Sequence, residues 1–218
     1  GGGGGGGGGS AASGDGDRPR RVCVFCGSST PKGERGARIM AAAETLGREM
    51  ARQGIELVYG GGGVGVMGAL SRAVDAHGGV VRGIIPAALA PKEVSSEGVQ
   101  LHNVEVVRTM HERKMRMAEL SDAFIALPGG FGTLEELFEA LTWSQLGIQN
   151  KSVGVLDAEG FYAHLLRFLR DASAAGFVSA KYMGLIVSGE EPAALLRAVM
   201  AHDAPRGYLH GKWDVHDT

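Results

Sequence analysis

Cysteine is almost absent: Cys23 and Cys26 are the only two in 218 residues, too few for a secreted disulfide scaffold. A basic excess is absent too. Lysine and arginine number 22 against 24 aspartates and glutamates, a formal charge of −2 at pH 7, which argues against a dedicated nucleic-acid binder. No apolar run approaches the ~18–20 residues of a bilayer span. No basic segment followed by an apolar stretch marks a secretory signal. These absences point to a soluble protein of a reducing compartment, with neither nucleic acid nor membrane as partner. A cytoplasmic location is expected, with nuclear presence left open. Hydrophobic residues at 44% and charged residues at 21% suit a chain that buries a full core without a disulfide or metal staple.

Glycine is in excess, with 37 in all. Gly1 to Gly9 run unbroken into a Ser/Ala/Gly/Asp stretch with too little apolar surface to offset ordering entropy. Residues 1–19 are therefore expected to be a disordered leader, and the polar, aperiodic residues 202–218 a tail. Between them, residues 20–201 alternate short β-branched runs with helical patterns. Strands are predicted at 21–26, 55–59, 80–85 (stopped by Pro86), 104–107, 122–127, 152–156 and 184–187. Helices are predicted at 36–53, 67–76, 110–120, 134–146, 161–174 and 191–201. This alternation predicts one doubly wound, Rossmann-like α/β domain, a parallel sheet flanked by helices. Ligands of such folds bind beyond the carboxyl ends of the strands, where two glycine clusters fall.

The first cluster is Pro128-Gly129-Gly130-Phe131-Gly132-Thr133, between an apolar strand and a helix. Backbone N–H groups and a helix N-terminus in that context hold phosphate. No lysine precedes Thr133, so this is not a Walker loop. The second, Gly60 to Gly65, follows the second strand and fits a dinucleotide fingerprint only loosely. The next strand ends without an acidic residue to hold a ribose. Two glycine loops suggest a mononucleotide held from both sides, with Gly61 and Gly62 on the second side.

Thr133-Leu-Glu-Glu136 reads in two ways. Thr133 as N-cap with Glu136 reaching back makes a capping box, the reading that residue types alone favour. A carboxylate one turn into a phosphate-binding helix is also placed to face the sugar of a nucleotide. Glu135 points about 100° away and reads as a solvated face residue. His111-Glu-Arg-Lys114 lacks the second histidine of a zinc helix, since Met115 stands there. Arg113 and Lys114 either neutralise a phosphate or hold a carboxylate in place, or they sit on a solvated helix face. Cys23 and Cys26 are spaced as C-x-x-C, but both fall in a buried strand, which disfavours redox use.

Together these residues resemble one family. Pro128-Gly-Gly-Phe-Gly-Thr-Leu-Glu-Glu136 is similar to its P-G-G-x-G-T-x-x-E signature. Met110–Lys114, Phe25–Ser29, Tyr59–Gly68 and Thr142–Gly147 match its other blocks. The family is LOG ("Lonely Guy"), cytokinin-activating phosphoribohydrolases long labelled lysine decarboxylases. The likeness runs from about Arg20 to Ala201. It implies hydrolysis of the N-glycosidic bond of N6-substituted adenosine 5′-monophosphates, giving the free base and ribose 5-phosphate. It also implies Arg113 and Glu136 as the catalytic pair, Glu136 toward the ribosyl cation and water. Substrate contacts would come from Glu93, Lys114, Gly129, Gly130, Phe131, Gly132, Thr133, Leu134, Glu135 and Thr142. The base would lie near Ser28. After Glu93 the stretch Ser95–His102 is longer than the family pattern. A homodimer is implied as well.

Two other functions fit the same loops: a general AMP phosphoribohydrolase, and a non-catalytic nucleotide carrier or sensor. A carrier needs only the loop, so the presence of both Arg113 and Glu136 weighs against it. No lysine is identifiable as a Schiff-base partner for a decarboxylase, and no aspartate-rich cluster suits a calcium-dependent nucleoside hydrolase. Neither a cofactor nor a metal is expected.

Overall fold

The structure, a computed structural model, describes residues 20–90 and 104–209. Glu93 and residues 95–102 lie outside them, as do the leader and the end of the tail. Seven strands form one parallel sheet: β1 (Arg21–Phe25), β2 (Glu56–Tyr59), β3 (Val81–Pro86), β4 (Val104–Val107), β5 (Ala123–Ala126), β6 (Val153–Leu156) and β7 (Ile186–Gly189). Their order is β4-β3-β2-β1-β5-β6-β7. Strand β1 is central, with Cys23 in register with Val58 on one side and Phe124 on the other. The order reverses between β1 and β5, which makes a topological switch point at their carboxyl ends.

Alternation along β1 divides the core. Val22, Val24 and Cys26 face one layer; Cys23 and Phe25 face the other. The first layer is covered by α1 (Gly33–Arg52), α2 (Gly65–Ala76) and α7 (Pro192–Ala201), through residues such as Ile39, Leu46, Leu70 and Leu196. The second is covered by α3 (Met110–Leu120), α4 (Phe131–Leu146) and α5 (Ala163–Ala174), through Met117, Leu137, Ala140 and Leu166. Helices on both faces explain why the central strands read as continuous apolar runs. A single turn, α6 (Ala180–Met183), precedes β7. No helix of the described residues is long and apolar enough to cross a membrane.

Two boundaries differ from the sequence reading in ways that matter. Helix α4 begins at Phe131 rather than Leu134, so the end of the glycine loop forms the first helical turn. Pro86 is the last residue of β3 rather than the stop beyond it; at a strand end its missing N–H costs no interior ladder bond. The start of the expected tail also docks. Tyr208 and Leu209 donate backbone N–H groups to the carbonyls of Gln145 and Leu146, the last carbonyls of α4, which lack partners within the helix. Gly147, left-handed at φ 85°, ends that helix.

Gly47 on α1 marks the tightest helix contact of the first layer. A Cβ there would stand 2.7 Å from the Leu70 carbonyl oxygen and 2.8 Å from the Ala73 Cβ on α2. Gly47→Val should therefore push the helices apart and lower stability by about 2 kcal/mol or more, the overpacking cost outweighing any gain in helix propensity. Urea unfolding with an unchanged m-value checks this.

Candidate active site

Three loops meet at the switch point: Cys26–Ser29 after β1, Gly60–Val64 after β2, and Pro128–Gly130 after β5. The first and third are joined through Gly27, whose N–H donates to the Pro128 carbonyl (3.3 Å); its carbonyl accepts from Met67 N–H (3.1 Å) in α2, the helix that follows the second loop. This joining needs glycine on each side. A Cβ on Gly65, which is left-handed at φ 60°, would overlap the Ser28 backbone. A Cβ on Gly129 would overlap the Thr133 side chain. Strand β5 is pinned nearby, where the buried Tyr162 hydroxyl donates to the Leu127 carbonyl at 2.7 Å. That contact seats the adjoining Phe161 at the cleft.

The first and third loops, with α4 and residues of α1, α2 and α3, enclose a cleft of about 490 Å³, a volume suited to a small ligand. Its polar wall carries Ser28, Arg113, Thr133, Glu136 and the backbone of Gly129, Gly130 and Gly132. Its apolar wall includes Pro31, Ile39, Met67, Phe131 and Phe161. Helix α4 points its N-terminus into this space. Gly130 is its N-cap, and no side chain caps the first turn. Positions where Gly130 and Gly132 would carry a Cβ are open. Uncapped N–H groups, the positive end of the helix dipole and unobstructed backbone together make an anion site.

Glu136 lies one turn further in. It is 8% exposed, and its Oε1 has no hydrogen-bond partner. Arg113 Nη2 stands 3.5 Å from that oxygen, close enough for charge attraction. Arg113 is itself 9% exposed, with Nε donating to the Ile84 carbonyl at 3.2 Å. Its guanidinium passes over Gly60, where any side chain would collide with it. Burial pushes the Glu136 carboxyl up to about 7 against the pull of Arg113. The thiols of Cys23 and Cys26 are pushed up by burial and by Glu136, which leaves them protonated and poorly nucleophilic.

The capping box lies elsewhere than residue types favoured. Thr133 is the third residue of α4, and Glu136 turns into the cleft instead of back to a cap N–H. The T-x-x-E cap forms at α3, where Thr109 accepts from Glu112 N–H at 3.1 Å and Glu112 accepts from Arg108 N–H at 2.9 Å. At α4 the flexible glycines carry the chain into the helix early, so Thr133 arrives with helical neighbours already on its N-terminal side.

Of the residues singled out from sequence, Ser28, Arg113, Gly129, Gly130, Phe131, Gly132, Thr133 and Glu136 line the cleft. Several others do not. Lys114 Nζ donates to Glu135 at 2.6 Å and Glu139 at 2.9 Å, so Lys114 is not on a solvated face, whereas Glu135 is exposed, as expected of a face residue. Thr142 is exposed and donates to the Phe138 carbonyl at 2.7 Å. Leu134 packs against the second core layer. Gly61 and Gly62 are buried within the Gly60–Val64 loop, Gly61 against Ile85, and do not line the cleft. Apart from Phe131, the apolar wall escaped the sequence reading. Ile39 and Phe161 lie far apart in sequence and meet only through the contact of α1 with the turn at Ala158–Gly160.

A family model described as "Possible lysine decarboxylase" matches residues 67–199. A cytokinin riboside 5′-monophosphate phosphoribohydrolase of Arabidopsis thaliana (LOG7) is 45% identical over 92% of this chain and 91% of its own length. A second from Arabidopsis (LOG2) is 49% identical over 83% of this chain and 82% of its own. The rice enzyme LOG is 50% identical over 78% and 69%.

The chain belongs to the LOG family.

Solved structures share the fold at lower identity. The molybdenum cofactor binding protein of Rippkaea orientalis has a TM-score of 0.59 at 23% identity, covering 85% of this chain and 98% of its own. A molybdenum cofactor carrier protein of Chlamydomonas reinhardtii has the same score and coverage at 20% identity. This likeness to carriers is one of architecture. Among the described residues, no lysine lines the LOG-family cleft of this chain, although the family model's description names a decarboxylase.

The buried carboxyl carries a stability signature. Native Glu136 keeps its proton up to about pH 7, whereas the unfolded chain releases it near the ordinary value of 4.5. Between those values the unfolded chain binds fewer protons, so stability falls as pH rises. Glu136→Gln removes this dependence. Relative to wild type, the variant should gain up to about 3 kcal/mol of stability between pH 4.5 and pH 8. Denaturant melts of both proteins across that range check the sign.

Proposed function

We propose that this chain hydrolyses the N-glycosidic bond of cytokinin riboside 5′-monophosphates, releasing the free base and ribose 5-phosphate. One observation carries the reading. The N-terminus of α4, built for an anion, and the buried Glu136–Arg113 pair stand in a single cleft. The named activity of relatives 45–51% identical supports the same reaction.

In this reading the 5′-phosphate rests on the backbone of Gly129–Thr133. The ribose spans to Glu136, and the base lies against Ser28 and the apolar wall. As the C1′–N9 bond breaks, its electron pair leaves with the base and positive charge develops on the ribosyl ring. Ionised Glu136 stabilises that charge and takes a proton from the water that adds to C1′; that proton passes on to the departing purine anion, which gives the free base and restores the carboxylate. A carboxyl poised near neutrality suits a general base. Arg113 orients the carboxylate and helps hold it ionised. Glu93, Thr142, Gly61 and Gly62 enter this proposal as family-matched positions. The reading extends to a cytoplasmic homodimer, supported by the exposed apolar side chains of Val106, Met110, Phe131 and Phe138.

Purified protein assayed by chromatography should release base from isopentenyladenosine 5′-monophosphate and hardly any from the free nucleoside, because the phosphate subsite goes unused. Comparable rates on both would sink the assignment, and equal release from AMP would make it a general nucleotide glycosidase. Glu136→Gln and Arg113→Met should each lower kcat by about 10²-fold or more. Because Glu136 acts ionised, kcat should rise with pH along an acid limb near 7; a flat profile from pH 5 to 8 would contradict its role as base.

A further inference from the structure

We infer that Tyr162 is a positioning residue for the nucleotide site. Its hydroxyl sets the strand-to-helix loop that receives the 5′-phosphate, without itself reaching the ligand. This role rests on the anion site proposed at the N-terminus of α4. Tyr162 is only 1% exposed and is not among the residues that line the cleft. Its hydroxyl donates to the Leu127 carbonyl at 2.7 Å, across 35 residues of chain. Leu127 joins the end of β5 to Pro128, the first residue of the phosphate loop.

Two successive peptide planes at the start of that loop are held from outside it. Tyr162 fixes the Leu127 carbonyl, and Gly27 N–H donates to the Pro128 carbonyl at 3.3 Å. Between the two planes the proline ring keeps φ at about −65°. The N–H of Gly129 lies in the second plane and points opposite to the Pro128 carbonyl, because the peptide is planar and trans. Its direction toward an anion is therefore set by these restraints together. Gly27 supplies the second; Tyr162 supplies the first. A phenylalanine would fill the same space in the core, and only the hydroxyl reaches Leu127.

The turn that carries Tyr162 is itself restrained. Asp157 Oδ1 accepts the Tyr162 N–H at 2.6 Å, the Tyr162 carbonyl accepts from Leu166 N–H at 2.9 Å, and the ring meets Phe161 edge to face at 4.9 Å. Three residues before it, Glu159 is left-handed at φ 59°, alone among the described non-glycine residues. L residues adopt that conformation at a cost and keep it where their surroundings impose it. Here α1 imposes it: Arg35 Nη2 donates to the Glu159 carbonyl at 2.9 Å, and Arg38 Nε pairs with its carboxylate at 2.8 Å. A strained turn clasped by one helix thus delivers a single O–H to the loop that opens another.

Tyr162→Phe keeps the ring and removes only the O–H, which frees the Leu127 peptide to tilt and misaligns Gly129 N–H. The first-turn donors of α4 and Glu136 stay on one helix. Inorganic phosphate, followed by ³¹P NMR, should therefore bind the variant about 3–10-fold more weakly, the net worth of one hydrogen bond. KM for isopentenyladenosine 5′-monophosphate should rise by a similar factor while kcat stays within about twofold of wild type. Unaltered phosphate affinity overturns the inference even where the variant melts at a lower temperature, since that is the result of a packing role alone. A lowered kcat with KM and phosphate affinity unmoved overturns it as well. Should Tyr162→Phe fail to fold, Asp157→Ala, which releases the Tyr162 N–H, decides alone: weaker phosphate binding supports the inference and unchanged binding overturns it. The phosphate titration needs no turnover. A wild type that binds no phosphate overturns the anion site and this inference together, whereas equal binding by wild type and variant overturns only the role of Tyr162.

Discussion

The cost of burying one carboxylate organises this molecule. Glu136 lies inside the protein with an oxygen that no protein donor satisfies, a condition that costs about 1–3 kcal/mol for a neutral group and more for a charged one. Arg113 offsets part of that cost at 3.5 Å. Arg113 can take its position only because Gly60 leaves room for the guanidinium and Ile84 offers a carbonyl. Gly60 follows β2, and Ile84 lies in the neighbouring strand β3 of the same parallel sheet. Arg113, carried on α3, is thus braced against the sheet, which suits a group that must be poised before substrate arrives.

The glycines divide by what surrounds them. Gly60, Gly65 and Gly129 have neighbours so close that a side chain would collide, and Gly27 is packed tightly against Gly129; together they let backbones and a guanidinium pack closely. Gly130 and Gly132 have open space instead, so packing of the protein itself gives no reason for them. Open glycines beside an uncapped helix terminus are explained by a ligand that approaches the backbone. The same motif therefore combines a tightly packed half with an open half, and the break between them falls where α4 begins.

Much of this was legible in the sequence. The apolar runs of β1, β2 and β5 pointed to buried strands, and the glycine clusters to the carboxyl ends where the cleft lies. What failed was local chemistry read without its neighbours. Thr133 and Glu136 have the spacing of a capping box, yet a glycine N-cap started the helix early and released the carboxyl into the core. Thr109 and Glu112, with the same spacing, do form the cap. Sequence spacing cannot choose between the two sites, because the choice depends on where the preceding strand delivers the chain. Lys114 adjoins Arg113 in sequence, but successive residues of a helix diverge by about 100°. One therefore faces the cleft and the other the back of α4. The apolar wall was invisible for a different reason: α1 and the turn before α5 meet only in the folded sheet.

Helix α4 also sets a distance. Its first-turn N–H groups and Glu136 belong to one rigid element, separated by about one turn, ~5.4 Å along the axis. A ribose ring separates its 5′ oxygen from its anomeric carbon on a similar scale. An anion seated on the N-terminus therefore places a sugar's anomeric carbon beside the carboxyl without any other contact having to specify the alignment. A ligand lacking the anion loses that registration as well as the binding energy, and would fall short in kcat as well as in KM. The fold-related molybdenum cofactor proteins show that this architecture also appears in carriers. In this chain, anchor and buried carboxyl share one helix, an arrangement that favours a reaction at a fixed distance from a phosphate over simple retention of a ligand.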